Sequence, residues 1–190
     1  KKTKICLNAM VGNEAKTILR MLESTEPYID YWVIQCNGND NTKEIIEKIY
    51  DNVKKNNCEI IIPEDCVVGT SFEGEGKNRD LDQIEENEII LDIGYKTVNN
   101  IKQIINQSRT VLWNGPAGYF ENKNFLNGTM SIAETISKNT QEKSLISVLG
   151  GGDTLAAINK SKNKLYFSHL STAGGAFLEY LEGKDLPGLS

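Results

Sequence analysis

The chain has a single histidine, His169, and four cysteines, Cys6, Cys36, Cys58 and Cys66, none of them in a C-x-x-C pair. A structural zinc site is therefore not expected, and the cysteines read as reduced thiols of a cytoplasmic protein. No apolar run approaches the roughly 20 residues that cross a bilayer. The opening Lys1-Lys2-Thr3-Lys4 is followed by only a short apolar stretch without a small-residue cleavage site. Neither a membrane span nor a signal peptide is expected. Excess positive charge is also lacking. The net charge is −5 and the pI about 5.1, so the basic footprint of a nucleic-acid-binding protein is missing. An acidic chain can still hold a polyanion, provided that it does so locally, through backbone amides and a few cations. There is no internal repeat and no low-complexity segment.

What is present is ordinary globular material: 190 residues, 39% hydrophobic and 25% charged, the size of one domain or two very small ones. Short apolar runs alternate with segments of helical period. Ile5–Val11, Tyr31–Ile34, Glu59–Ile62, Ile89–Ile93, Thr110–Trp113, Leu145–Leu149 and Leu165–Ser168 read as strands. Helices are expected around Ala15–Leu22, from Asn41 or Thr42 to Val53, through Val98–Ile105, and over Gly128–Asn139, Thr154–Lys160 and Gly174–Leu181. Residues 69–88 are charged and contain three glycines, which predicts a surface excursion. Strands alternating with helices imply a parallel sheet covered on both faces.

Three stretches carry chemistry. Ser147 to Ala157 runs from a strand through Gly150-Gly151-Gly152 into Asp153, Thr154 and a helix. Glycine lets backbone amides approach a phosphate without a Cβ in the way, and a helix start offers unpaired N–H groups with partial positive charge. Asp153 and Thr154 can cap that helix or hold a metal-bound phosphate. No lysine follows as it would in a P-loop, so this is not a Walker motif, and a glycine-rich turn at a sheet edge remains an equal reading. Phe167 to Ala176 repeats the pattern of strand, small residues and helix, with Ser171, Thr172, Gly174 and Gly175 at the turn. Two helix starts at carboxyl strand ends can face one crevice, where open parallel sheets bind ligands. Thr110 to Glu121 places Asn114, Gly115, Pro116 and Glu121 beyond another strand. A carboxylate there could accept hydrogen bonds from ribose hydroxyls, although most such turns are structural.

Taken in order, W-N-G-P-A-G-Y-F-E at 113–121, G-G-G-D-T at 150–154 and S-H-L-S-T-A-G-G-A at 168–176 resemble the signatures of the phosphoglycerate kinase family. Cys58 to Pro63 with Asp65, Leu91-Asp92-Ile93-Gly94 and the ending Glu179 to Gly188 fit the same family, so the resemblance runs over about residues 52–190. Tyr95 departs from its usual proline and Ala173 from its usual glycine. The resemblance implies the fold, a Rossmann-like three-layer α/β domain with a mainly parallel sheet flanked by helices. It also implies ATP or ADP with Mg²⁺ as ligands, and transfer of a phosphoryl group between 1,3-bisphosphoglycerate and ADP in glycolysis. Glu121 would bind ribose, Leu91 would line the adenine pocket, and Asn114 would sit near the phosphates. Gly151, Gly152, Asp153 and Thr154 would hold phosphates and magnesium, with Asp153 as the metal residue. His169, Ser171 and Thr172 would belong to a segment coupling nucleotide binding to closure, a structural role being the first reading for His169 alone.

Two parts of the family pattern have no counterpart in these residues. One is the acceptor domain with its basic cluster and essential arginine; the other is the strand–loop that brings a phosphate-binding lysine. Phosphoryl transfer depends on positioning and charge stabilisation, so this chain alone is expected to be a poor or inactive kinase, with no catalytic residue assigned. Residues 4–48 resemble instead the start of a family 2 glycosyltransferase, through Ile5-Cys6-Leu7-Asn8, Gly12-Asn13-Glu14-Ala15-Lys16 and Ile29 to Ile34. The D-x-D metal motif of that family is missing downstream. The expected organisation is a βαβα segment over 1–50 that completes the sheet of a nucleotide domain over 51–190, with Lys16 either near the lost lysine's place or on an exposed helix face. Three readings stay open: a kinase-family nucleotide domain, a non-catalytic nucleotide-binding module, and a glycosyltransferase fragment. The expected partner is an adenine nucleotide, with 3-phosphoglycerate only if an acceptor domain is supplied; a monomer without nucleic-acid or membrane partners is expected.

Overall fold

The computed structural model of the chain describes the backbone of residues 5–11, 31–36 and 59–172 and the side chains of 61–172. Nine strands follow in chain order: β1 (Ile5–Val11), β2 (Tyr31–Cys36), β3 (Glu59–Ile61), β4 (Asp65–Gly69), β5 (Lys77–Asp80), β6 (Ile89–Ile93), β7 (Thr110–Asn114), β8 (Ile146–Gly150) and β9 (His169–Ser171). The described helices are α1 (Tyr95–Gln107), α2 (Asn127–Gln141) and α3 (Gly152–Ile158).

Six strands form one sheet in the order β3-β2-β1-β7-β8-β9, and every pairing within it is parallel. Helices flank it, giving the Rossmann-like α/β fold. The strand order reverses at β1. The chain steps outward from β1 to β2 and β3, returns to lay β7 on the other side of β1, and then steps outward to β8 and β9. The β1–β7 boundary is thus the topological switch point, and ligands of such sheets bind beyond the carboxyl strand ends at that place. Register aligns those ends: Ala9 is opposite Asn114, Asn114 opposite Gly150, and Gly150 opposite Ser171. Segments far apart in sequence are thereby brought into one row.

The main core forms where α1 and α2 cover this sheet. Val98, Ile101 and Ile105 of α1 recur at helical spacing and are buried with Ile132, Ala133 and Ile136 of α2 and with Val111, Trp113 and Leu149 of β7 and β8. Trp113, Ala133, Ile136 and Leu149 have no exposed surface. Each such aliphatic side chain contributes about 1.5–3 kcal/mol through its removal from water.

Three sequence expectations need correction. Residues 69–88 are more than a surface excursion, and β6 is no strand of the parallel sheet. Instead β4, β5 and β6 form a separate antiparallel sheet in the order β5-β4-β6. The apolar part of β4 is only Cys66-Val67-Val68, too short to read as a strand beside acidic Glu64 and Asp65. It becomes one because Val67, Leu91 and Phe125 share a small core. Gly69 and Gly76 are packing positions under Phe125 rather than loop markers, since a Cβ at either would lie within about 3 Å of its ring. The strand expected at Leu165–Ser168 lies instead at His169–Ser171. Side chains capture the amides before it: Tyr166 N–H donates to Ser137 Oγ at 2.8 Å, and Ser168 N–H to Ser147 Oγ at 2.9 Å, while Ser147 N–H donates to Ser168 Oγ at 3.1 Å. The regular ladder with β8 therefore begins only at His169.

Candidate functional site

Beyond the carboxyl ends of β7 and β8 the backbone turns sharply twice. Gly115 (φ 88°) follows Asn114, and Gly151 (φ 97°) follows Gly150, both in the left-handed region that glycine adopts without penalty. The two turns are joined. Thr154, fully buried in the first turn of α3, accepts the Gly115 N–H at 2.8 Å through Oγ1. A Cβ at Gly151 would approach Asn114 Oδ1 to 3.1 Å. Among the described residues, that oxygen and Trp113 Nε1 beside it in sequence are buried and have no hydrogen-bond partner. Gly152, in contrast, is exposed, with nothing within 4 Å of a Cβ built there. Asn114, Gly115 and Gly151 thus lie together beyond the strand ends, followed by the exposed Gly152 and Asp153. Ser171 joins from β9, its carbonyl accepting the Gly151 N–H at 3.2 Å.

The loop from Gly115 to Glu121 is held along its length. Pro116, Ala117 and Gly118 are buried. Ala117 N–H donates to Thr129 Oγ1 at 2.9 Å and Tyr119 N–H to the Leu91 carbonyl at 2.6 Å. Leu91 is itself buried in the small core with Val67 and Phe125, against which Tyr119 of this loop also packs. Gly118 lies against the Asp92 carboxylate, where a Cβ would come within 2.5 Å of Oδ1. Glu121 is exposed, and its carbonyl accepts Lys160 Nζ at 3.1 Å.

Two buried acids support the neighbouring elements; in sequence both appear only as matches to the family pattern, without a role. Asp65 accepts the Thr97 N–H (2.9 Å), the Thr97 hydroxyl (2.8 Å), the Lys96 N–H (3.0 Å) and the Asn78 amide (3.2 Å). Burial alone would raise its pKa, but these donors at the start of α1 outweigh that and hold it below the usual 3.8. Asp92 has two donors, Ile93 N–H at 2.9 Å and Gly128 N–H at 2.7 Å. Burial dominates there and pushes its pKa up to about 7 despite both bonds. The available signal was an acid inside an apolar strand, Ile-Ile-Leu-Asp-Ile, which is tolerated only with dedicated donors.

The structure thus brings together Asn114, Gly115, Gly150, Gly151, Gly152, Asp153, Thr154 and Ser171, with Thr172 exposed just beyond. Leu91 and Pro116 are structural neighbours of the loop, and Glu121 lies at its far end. His169 is exposed on the outermost strand. Lys16, Gly174 and Gly175 lie outside the described residues. Among the described residues, no group of three His, Cys, Asp or Glu side chains could hold a metal ion, and no helix is long and apolar enough to cross a membrane.

A parallel sheet whose strand order reverses at β1 and whose flanking helices cover it defines the class, a doubly wound α/β domain. Comparison with known proteins makes the assignment specific. Residues 28–184 match the family described as phosphoglycerate kinase, and the chain belongs to that family. That match begins inside the segment with the glycosyltransferase resemblance. Phosphoglycerate kinase of Xanthobacter autotrophicus is 45% identical over 152 residues, covering 79% of this chain and 37% of the relative. That of Methylorubrum populi is 37% identical over 197 residues, covering 94% of this chain and 49% of the relative. The solved phosphoglycerate kinase of Coxiella burnetii superposes with a TM-score of 0.81 at 31% identity, over 96% of this chain and 51% of that one. The enzyme of Pyrococcus horikoshii superposes with a TM-score of 0.73 at 26% identity, over 100% of this chain and 51% of that one. The chain therefore spans about half or less of the proteins it matches.

Proposed function

We propose that this chain is the nucleotide-binding part of a phosphoglycerate kinase, and that it holds ADP or ATP at the carboxyl edge of β7 and β8. The observation that carries this reading is the row Asn114, Gly150 and Ser171 at the carboxyl ends of β7, β8 and β9, beside the switch point, with the Asn114 Oδ1 atom buried and without a partner among the described residues and Gly152 exposed. In a family that transfers phosphoryl groups, an open glycine at a helix start suits the approach of phosphate oxygens to backbone amides. Thr154 fixes Gly115 and hence the turn that carries Asn114, while Glu121 at the far end of the loop would accept the ribose hydroxyls. Magnesium is compatible with a single exposed carboxylate, Asp153, because Mg²⁺ keeps several waters and shares its remaining ligands with substrate phosphates. The nucleotide supplies the transferable phosphoryl group, and the residues of this chain orient it and neutralise part of its charge.

Transfer to or from 3-phosphoglycerate is proposed only together with an acceptor half that carries the family's basic cluster. Alone, these 190 residues would bind and not turn over. The organisation proposed is a glycosyltransferase-like segment over 1–50 and a nucleotide domain over 51–190. The hydrogen-bonded position of β1 between β2 and β7 supports a single continuous sheet. A soluble, monomeric, cytoplasmic protein is the state proposed.

Titration calorimetry with MgADP and MgATP tests the site, alongside a Gly152→Asp, Asp153→Ala double variant. Saturable binding that the variant loses is the expected result and justifies a turnover assay with 3-phosphoglycerate. Absence of binding in a folded chain would leave these loops as scaffold only.

A further inference from the structure

Helix α3 touches the Gly115–Glu121 loop at both of its ends. At its start, Thr154 Oγ1 accepts the Gly115 N–H at 2.8 Å. Just past its last turn, Lys160 Nζ donates to the Phe120 carbonyl at 2.9 Å and to the Glu121 carbonyl at 3.1 Å. The same ammonium lies 5.2 Å from the Phe120 ring centroid, within cation–π range. A cation at this end also complements the partial negative charge of the helix terminus. Four residues of helix rise, about 6 Å, separate Thr154 from Ile158, and Lys160 follows in the turn two residues beyond, so this short helix and its closing turn contact the loop at its first and its last residue.

From this geometry we propose that Lys160 is a positioning residue, setting the distance between the ribose-binding Glu121 and the phosphate-binding turn at Gly150–Thr154. The inference rests on the nucleotide reading above. Among the described residues, Lys160 meets the loop through the Phe120 and Glu121 carbonyls and the Phe120 ring, not through the Glu121 carboxylate, and acts through Glu121. The next residue is anchored on the opposite side: Asn122 Nδ2 donates to the carbonyls of Phe72 (3.0 Å) and Gly74 (3.1 Å), next to the antiparallel sheet. Among the described residues, Lys160 is the side chain that ties Phe120 and Glu121 to α3, so its loss frees Glu121 relative to the phosphate turn without unfolding the loop.

A positioning role for the ribose contact has a signature that general loosening of the fold lacks. Binding of ADP and of 2′,3′-dideoxy-ADP to the 190-residue chain is measured by calorimetry for wild type, Lys160→Met, Lys160→Arg and Glu121→Gln, with circular dichroism confirming folding. Wild type should prefer ADP. Lys160→Met should weaken ADP binding about 3- to 10-fold, the scale of losing one or two charge-assisted hydrogen bonds, and leave dideoxy-ADP binding unchanged. Lys160→Arg should recover most of the loss, and Glu121→Gln should abolish the preference. Equal weakening of both nucleotides by Lys160→Met, or no weakening of either, overturns the positioning role. Wild type binding both nucleotides equally also overturns it while leaving the nucleotide site standing. Wild type binding neither removes the nucleotide reading and the proposal with it.

Discussion

The starts of α1 and α2 differ from the start of α3, although each has a glycine at its N-cap or in its first turn. A helix start presents unpaired amides and partial positive charge. At α1 the buried carboxylate of Asp65 receives the Lys96 and Thr97 amides. At α2 the buried Asp92 receives the Gly128 amide. At α3 no carboxylate among the described residues does so; its N-cap is Gly151 and its next residue, Gly152, is open. The difference separates scaffold from site. The fold complements two helix starts internally with buried acids, while the third, beyond β8, carries no such acid among the described residues; the proposed nucleotide would complement it.

Substitutions at four positions can break or sharpen that contrast. The largest effect is expected at Gly94, the N-cap of α1, where a Cβ would lie 2.2 Å from the Asp65 carboxyl carbon. Asp65 is locked by its own donors and cannot retreat, so Gly94→Ala should cost about 4 kcal/mol or more. Urea denaturation measures this directly, and a loss below about 1 kcal/mol would mean the α1 start is not filled as described.

Next comes the pH response of the two acids, which should have opposite signs. Asp92 is raised from 3.8 to about 7, so its folded form binds the proton more tightly than the unfolded chain does. Its contribution to stability is full below about pH 4 and is lost as pH rises towards 7, by an amount on the order of 3 kcal/mol. Asp65 is lowered; its contribution is full above its ordinary 3.8 and is lost as pH falls through its folded value. Denaturation across pH 4–8 should therefore show wild type losing stability relative to Asp92→Asn as pH rises. A constant difference between the two proteins would place the Asp92 titration elsewhere.

Thr154→Ala should cost about 1–2 kcal/mol, because it strands the partly buried Gly115 N–H, and it should weaken nucleotide binding as the Asn114 turn loosens. Thr154→Ser keeps the acceptor oxygen and should restore both. If Thr154→Ala changes stability alone, the two turns are joined for folding and not for binding. The smallest stability effect belongs to Gly152→Ala, within about 0.5 kcal/mol of wild type, since nothing lies near the added methyl group. Its consequence should appear in ADP titration instead. Intact affinity in that variant would show that ligand does not approach the backbone at Gly152.

Much of the parallel sheet was legible because its strands are apolar runs ended by glycine, as at Leu149-Gly150-Gly151 and Trp113-Asn114-Gly115. Helices α1 and α2 were legible from the spacing of Val98, Ile101 and Ile105 and of Ile132 and Ile136. The antiparallel sheet was not. β5 is Lys-Asn-Arg-Asp, an exposed edge strand whose charges deter further pairing, and a charged tetrapeptide looks like a loop until its partner is known. The start of β9 was misplaced because the competing acceptors, Ser137 and Ser147, lie 29 and 21 residues away.

The sequence by itself determined the alternation of strands and helices, the glycines at the turns beyond β7 and β8, and the residue types offered there. Those are properties of local period and of single-residue conformational freedom. Only the tertiary structure decided which turns meet. Parallel register set Asn114, Gly150 and Ser171 in one row. A hydrogen bond across 39 residues joined Gly115 to Thr154, and another across 32 residues placed Asp65 at the start of α1. Such pairings depend on which faces are buried against each other, and no local pattern encodes them.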